Sequence, residues 1–101
     1  MKAFMHPDER LTLLYSLKKA GFYVRMHAYE YVLGYAGSII GVLALHPGEN
    51  AATLYLNKYA RSGSEHAVLS VLRSIRDDVK VEVRMENSSW KTNKDLSKAK
   101  P

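Results

Sequence analysis

The chain switches between two hydrophobic periods. In HPDERLTLLYSLKKAG, residues 6–21, Leu11, Leu14 and Leu17 recur at three-residue steps with Leu13 beside them. That spacing predicts an amphipathic helix with one apolar stripe. Pro7 suits the first helical position, and Asp8 and Glu9 suit the positive end of the helix dipole. Lys18 and Lys19 suit the negative end, and Gly21 is a natural stop. The pattern then changes to alternation. FYVRMHAYEYVLGY, 22–35, places Phe22, Val24, Met26, Ala28 and Val32 on one side, with Glu30 breaking the series. Tyr23, Arg25, His27, Tyr29, Tyr31, Leu33 and Tyr35 fall on the other. Read as one strand, this segment has an apolar face and a tyrosine face.

From Tyr31 to Leu45 the chain carries no charge, and it includes GSIIG, the small-xxx-small spacing of packed membrane helices. A spanning helix needs about 20 apolar residues, and this run has fifteen between Glu30 and His46. Gly34, Gly37 and Gly41 each weaken a helix by roughly 1 kcal/mol relative to Ala. The run therefore predicts two buried strands with a turn at Ala36-Gly37-Ser38, the other glycines marking close backbone approach or a bulge. HPGEN, 46–50, predicts a turn. In AATLYLNKY, 51–59, Leu54 and Leu56 face one way and Thr53, Tyr55, Asn57 and Tyr59 the other.

A second helix is predicted over ARSGSEHAVLSVLRSIR. Ser62 and Glu65 have capping-box spacing, and Ala67, Val68, Val71, Leu72 and Ile75 form its inner face. VKVEVRME, 79–86, alternates cleanly, with Val79, Val81, Val83 and Met85 inward and Lys80, Glu82, Arg84 and Glu86 outward. MKAFM reads as a short first strand. The expected fold is α+β in the order (β)-α-β-β-β-α-β, an antiparallel sheet with two helices packed on one face. Residues 1–86 make a single domain, and 87–101 a basic flexible tail.

The formal net charge is +5. Residues 1–86 carry eleven Lys/Arg against nine Asp/Glu, whereas 87–101 carry four lysines and one aspartate. A basic tail attracts polyanions such as nucleic acid. With no cysteine there is no disulfide framework and no thiolate metal site. The N-terminal MKAFMHPDER lacks the apolar stretch of a secretory signal. The expectation is a cytoplasmic protein that does not enter a membrane.

One face carries candidate chemistry. Tyr23, Arg25, His27, Tyr29, Tyr31, Tyr55, Asn57 and Tyr59 all fall off the predicted core face. Tyrosines stack on bases at about 1–3 kcal/mol each, and arginine adds charge and cation–π contact. Arg61, Lys91, Lys94 and Lys98 could hold phosphates alongside. The expected function is therefore a small nucleic-acid-binding accessory or regulatory protein acting on RNA or DNA. The same face also fits a protein–protein interaction module, as an inhibitor, adaptor or homodimer, because Tyr and Arg are enriched at interfaces. Cross-strand tyrosine pairs also stabilise sheets with no partner at all. A third alternative is metal-independent cleavage of RNA centred on His27 with Arg25 and Tyr29. The spacings of His6, His27, His46 and His66 match no metal site, so neither metal nor cofactor is expected. Trp90 stands alone in the polar tail, suited either to capping the sheet or to inserting into a partner.

The core order α-β-β-β-α resembles that of double-stranded-RNA-binding domains. Those domains place a lysine cluster at the start of the second helix, where this chain has ARSGSEHAVLS, with Arg61 and His66. SLKKAGFYVRMH is similar to the opening of HicA-type messenger-RNA-cleaving toxins, in which a helix ends in Gly-Phe and a strand follows. Their Gly-Ser-His motif is absent here, where His27-Ala28-Tyr29 stands instead, so no catalytic residue is carried over.

Overall fold

The computed structural model describes residues 6–58, 60 and 63–86. The expected first strand, the Ser62 cap, Tyr59, Arg61 and the lysine tail with Trp90 lie outside them. The fold is α+β, with two helices and a five-stranded, mostly antiparallel sheet. Its elements are α1 (Pro7–Lys19), β1 (Tyr23–His27), β2 (Glu30–Tyr35), β3 (Ser38–His46), β4 (Ala51–Asn57), α2 (Ser64–Ile75) and β5 (Lys80–Glu86). A single 3-10 turn, Pro47–Glu49, joins β3 to β4.

The start of α1 is closed by a reciprocal cap. The His6 ring accepts from the Asp8 amide at 3.3 Å, and the Glu9 carboxylate accepts from the His6 amide at 3.0 Å. Its end is a Schellman motif around Gly21, φ +108°. The Phe22 amide donates to the Leu17 carbonyl and the Gly21 amide to the Lys18 carbonyl. At the start of α2, Gly63 stands at φ +95° before Ser64.

Residues 22–35 are not one strand. A two-residue turn at Ala28-Tyr29 divides them into β1 and β2, with His27 opposite Glu30 and Ala28 at φ +55°. No Gly, Asn or Asp marks this turn, so alternation alone hides it. The turn reverses the parity of everything after it. His27 and Glu30 share a face, and so do Met26 and Tyr31, and Val24 and Leu33. Glu30 and Val32, expected inward, therefore point away from the helices, while Tyr31 and Leu33 enter the core at 0% exposure. The irregularity at Glu30 was the trace of this reversal.

The next hairpin, Tyr35 opposite Ser38, turns through Ala36 and Gly37, both at positive φ. A register shift at Leu33/Gly34 leaves Ile40 as the extra residue of a bulge, with Leu33 opposite Gly41. At Gly41 a side chain would collide with the Tyr55 carbonyl, which is the close backbone approach that its glycine implied. The strands run in the order β1-β2-β3-β4-β5. The first three pairings are antiparallel, but β4 and β5 are parallel, because α2 carries the chain back across the sheet between them. Leu13 and Leu17 of α1 and Val68 and Leu72 of α2 are fully buried with Leu43 and Leu54 of the sheet. The two helices also pack on each other. Among the described residues, no helix is long and apolar enough to cross a membrane.

Candidate interaction face

Cross-strand pairing sorts the sheet into two faces. The helix side is the core. The other side is crossed by registered rows. One runs Arg25, Val32, Val42, Tyr55, Arg84, an apolar row with an arginine at each end. The next runs His27, Glu30, Ala44, Thr53, Glu82. Towards the other end, Tyr23 lies against Gly34, its ring filling the space that a side chain would take. Val32, Val42, Ala44 and Tyr55 are half-buried, whereas Tyr23, Arg25, His27 and Arg84 are exposed. This is a shallow aliphatic centre within a rim of tyrosine and charge.

Five sequence-selected residues lie on this side of the sheet: Tyr23, Arg25, His27 and Tyr55 reach solvent, while Asn57 is buried at 4% exposure. Two others do not. Tyr31 is buried on the helix side, its hydroxyl donating to the Arg10 carbonyl at 2.9 Å. Burial pushes its phenol up from 10.0 to about 12, with the Arg10 charge pulling partly the other way. Tyr29 sits in the β1–β2 turn with the Arg10 guanidinium 4.6 Å from its ring centre. Arg10 also donates to the Ala28 carbonyl at 3.3 Å, so one α1 side chain holds the whole turn. Nothing in the sequence marked Arg10, because its partners lie in a turn that the alternation concealed.

At the foot of the face, His46, Glu49, Thr53, Lys80 and Glu82 line a shallow cleft of about 300 Å³ together with Ala51, Ala52 and Val81. There the His46 ring and the Thr53 hydroxyl are hydrogen-bonded at 2.9 Å, which ties the end of β3 to β4. Among the described residues, no three His, Asp or Glu side chains converge as a metal site. Beside the sheet, Arg76 joins Asp78 at 3.3 Å, Asn50 at 3.4 Å and Glu9 at 3.7 Å. The Arg76 hydrogen bond holds the Asp78 carboxyl below the usual range. This cluster ties α1, the β3–β4 turn and the end of α2 together.

No family model, no curated protein and no solved structure matches the chain.

Proposed function

We propose that the chain is a small protein-interaction module that uses the helix-free face of its sheet. The partner it suits presents an apolar patch flanked by acidic groups. The patch covers Val32, Val42 and Tyr55, and the acids meet Arg25 and, in competition with Glu82 at 3.1 Å, Arg84. The observation that carries this reading is the aliphatic row at the centre of a face whose charges lie at its ends. An apolar centre with a polar rim is the anatomy of a protein interface. Charge balance supports the same reading. Two of the eleven basic residues in 1–86, Lys2 and Arg61, lie outside the described residues, which leaves nine basic against nine acidic. Phosphate binding draws on a basic surface, and the stacking platform has lost Tyr29 and Tyr31.

Nucleic-acid binding is the second reading. The observation in its favour is that the +5 charge resides outside the described fold, in Lys2, Arg61 and the 87–101 lysines. Val42→Lys separates the two. It adds charge at the centre of the face on a strand position that already meets solvent. Partner binding through this face should fall at least about tenfold, as expected when a charge is buried without a counterpart. Binding of labelled RNA or DNA should hold or strengthen and should weaken steeply with salt. A partner retained by V42K would remove the face from the reading.

A further inference from the structure

We propose that the chain forms a homodimer by antiparallel pairing of β5 with β5 of a second copy, which joins the two sheets into one. β5 has β4 on one side, and no described element lies on the other. Its backbone is oriented for pairing. The Lys80 amide donates to the Asn50 carbonyl at 3.1 Å, so Lys80 turns its polar groups toward β4. Direction alternates along a strand. Val81, Val83 and Met85 therefore turn their N–H and C=O groups outward, three donors and three acceptors along one edge.

The side chains are self-complementary. Reversed against itself about Val83, KVEVRME places Val83 opposite Val83 and Val81 opposite Met85, all on the helix side. These are the three residues whose backbone groups point outward, so each pair is of the type that exchanges two hydrogen bonds. On the other face Glu82 and Arg84, already paired within each strand at 3.1 Å, meet Arg84 and Glu82 of the second copy, so the two ion pairs join into one cluster of alternating sign. Met85 has reason to seek a neighbour, since it is 61% exposed although it alternates with the core valines. No proline or glycine interrupts the strand and no charge points to the helix side, so the edge is guarded only by the charges of its far face. The alternating charges on the far face repel a strand of arbitrary sequence and accept a reversed copy.

The opposite edge offers less. The β1 strand, YVRMH, has five residues against seven in β5, and reversing it about its centre sets Arg25 against Arg25. The proposed two-fold is therefore placed on β5. It runs perpendicular to the sheet, so both pairs of helices lie on one side and both helix-free faces on the other. The two readings share Arg84, and sedimentation of the chain alone tests this one with nothing docked on those faces.

The test is a charge-swap cycle followed by sedimentation velocity at about 10–100 µM chain. The wild type should sediment as a dimer. E82R places arginine against Arg84 of the partner, and R84E places glutamate against Glu82. Each should raise the dissociation constant about tenfold or more. E82R/R84E restores opposite signs at both positions and should recover the dimer. A wild type that stays monomeric overturns the proposal, as does a dimer indifferent to both single swaps. Should a single swap unfold the chain, Val83→Cys decides. It introduces the sole thiol of a cysteine-free protein. Paired residues of this type have Cα atoms about 5.5 Å apart, within the span of a short bis-maleimide linker. Treatment with that linker should then give a covalent dimer, and a thiol that stays monomeric overturns the proposal.

Discussion

Tyr31 shows how much one residue can carry. Its place in the alternation is that of an exposed stacking tyrosine, yet it is a core residue whose hydroxyl locks the start of β2 to α1 through the Arg10 carbonyl. The energetic sign follows from its environment. Burial favours the neutral phenol, and the folded value rises from 10.0 to about 12. In the unfolded chain the phenol titrates near 10. The folded state therefore retains the proton over a window in which the unfolded state releases it. The stability that this confers is complete below about pH 10 and is lost as pH rises towards 12. Urea midpoints should consequently fall between about pH 9 and 11.5. Tyr31→Phe should be about 1 kcal/mol less stable at neutral pH, through loss of the hydrogen bond. It should also lose less stability than the wild type over the alkaline window. A variant as alkali-sensitive as the wild type would place the titration elsewhere.

At the level of elements, legibility tracked punctuation. Strand β4 was readable because HPGEN marks its start and Leu54 and Leu56 alternate against Tyr55 and Asn57; the structure sets those faces as expected. Helix α1 was readable because proline, acids, lysines and Gly21 mark its two ends. The β1–β2 hairpin was not, because Ala28-Tyr29 offers no residue that favours positive φ. Parity depends on every turn before it, so one hidden turn misplaced Tyr31, Leu33, Glu30 and Val32 together. Residues upstream of that turn, Tyr23, Arg25 and His27, were placed correctly. The parallel β4–β5 pairing was also beyond the pattern, since alternation is the same in either direction. The β2–β3 hairpin has the positive-φ geometry that suits Asn-Gly, with alanine in the first position at φ +53°. Alanine is strained there and asparagine tolerates it. Ala36→Asn should therefore stabilise the protein by about 0.5–1 kcal/mol, read as a higher urea midpoint at unchanged slope. An unchanged or lower midpoint would mean that this turn does not limit stability.

The whole molecule divides its properties by place. The described fold is balanced in charge, while the net +5 lies outside it. One sheet face is sealed by helices, and the other offers an aliphatic row ended by arginines. Of the two sheet edges, β5 is the longer, and its reversal about Val83 sets Glu82 against Arg84. Joined there, two copies would present one continuous ten-stranded face about 43 Å across at a strand spacing of about 4.8 Å. A partner with two matching patches would then bind both halves, the second at the high effective concentration of a linked site. Such a dimer has a thermodynamic signature that needs no partner. Association stabilises the folded state by mass action, so the melting temperature must depend on chain concentration. It should rise steadily from about 5 to 500 µM for the wild type. The E82R curve should be nearly flat over the same range, and E82R/R84E should recover the slope. Two flat curves would mean a monomer, with the β5 edge unpaired and the docking face limited to five strands. Equal slopes for wild type and E82R would mean association through another surface, with the arginine-ended row itself the first place to substitute.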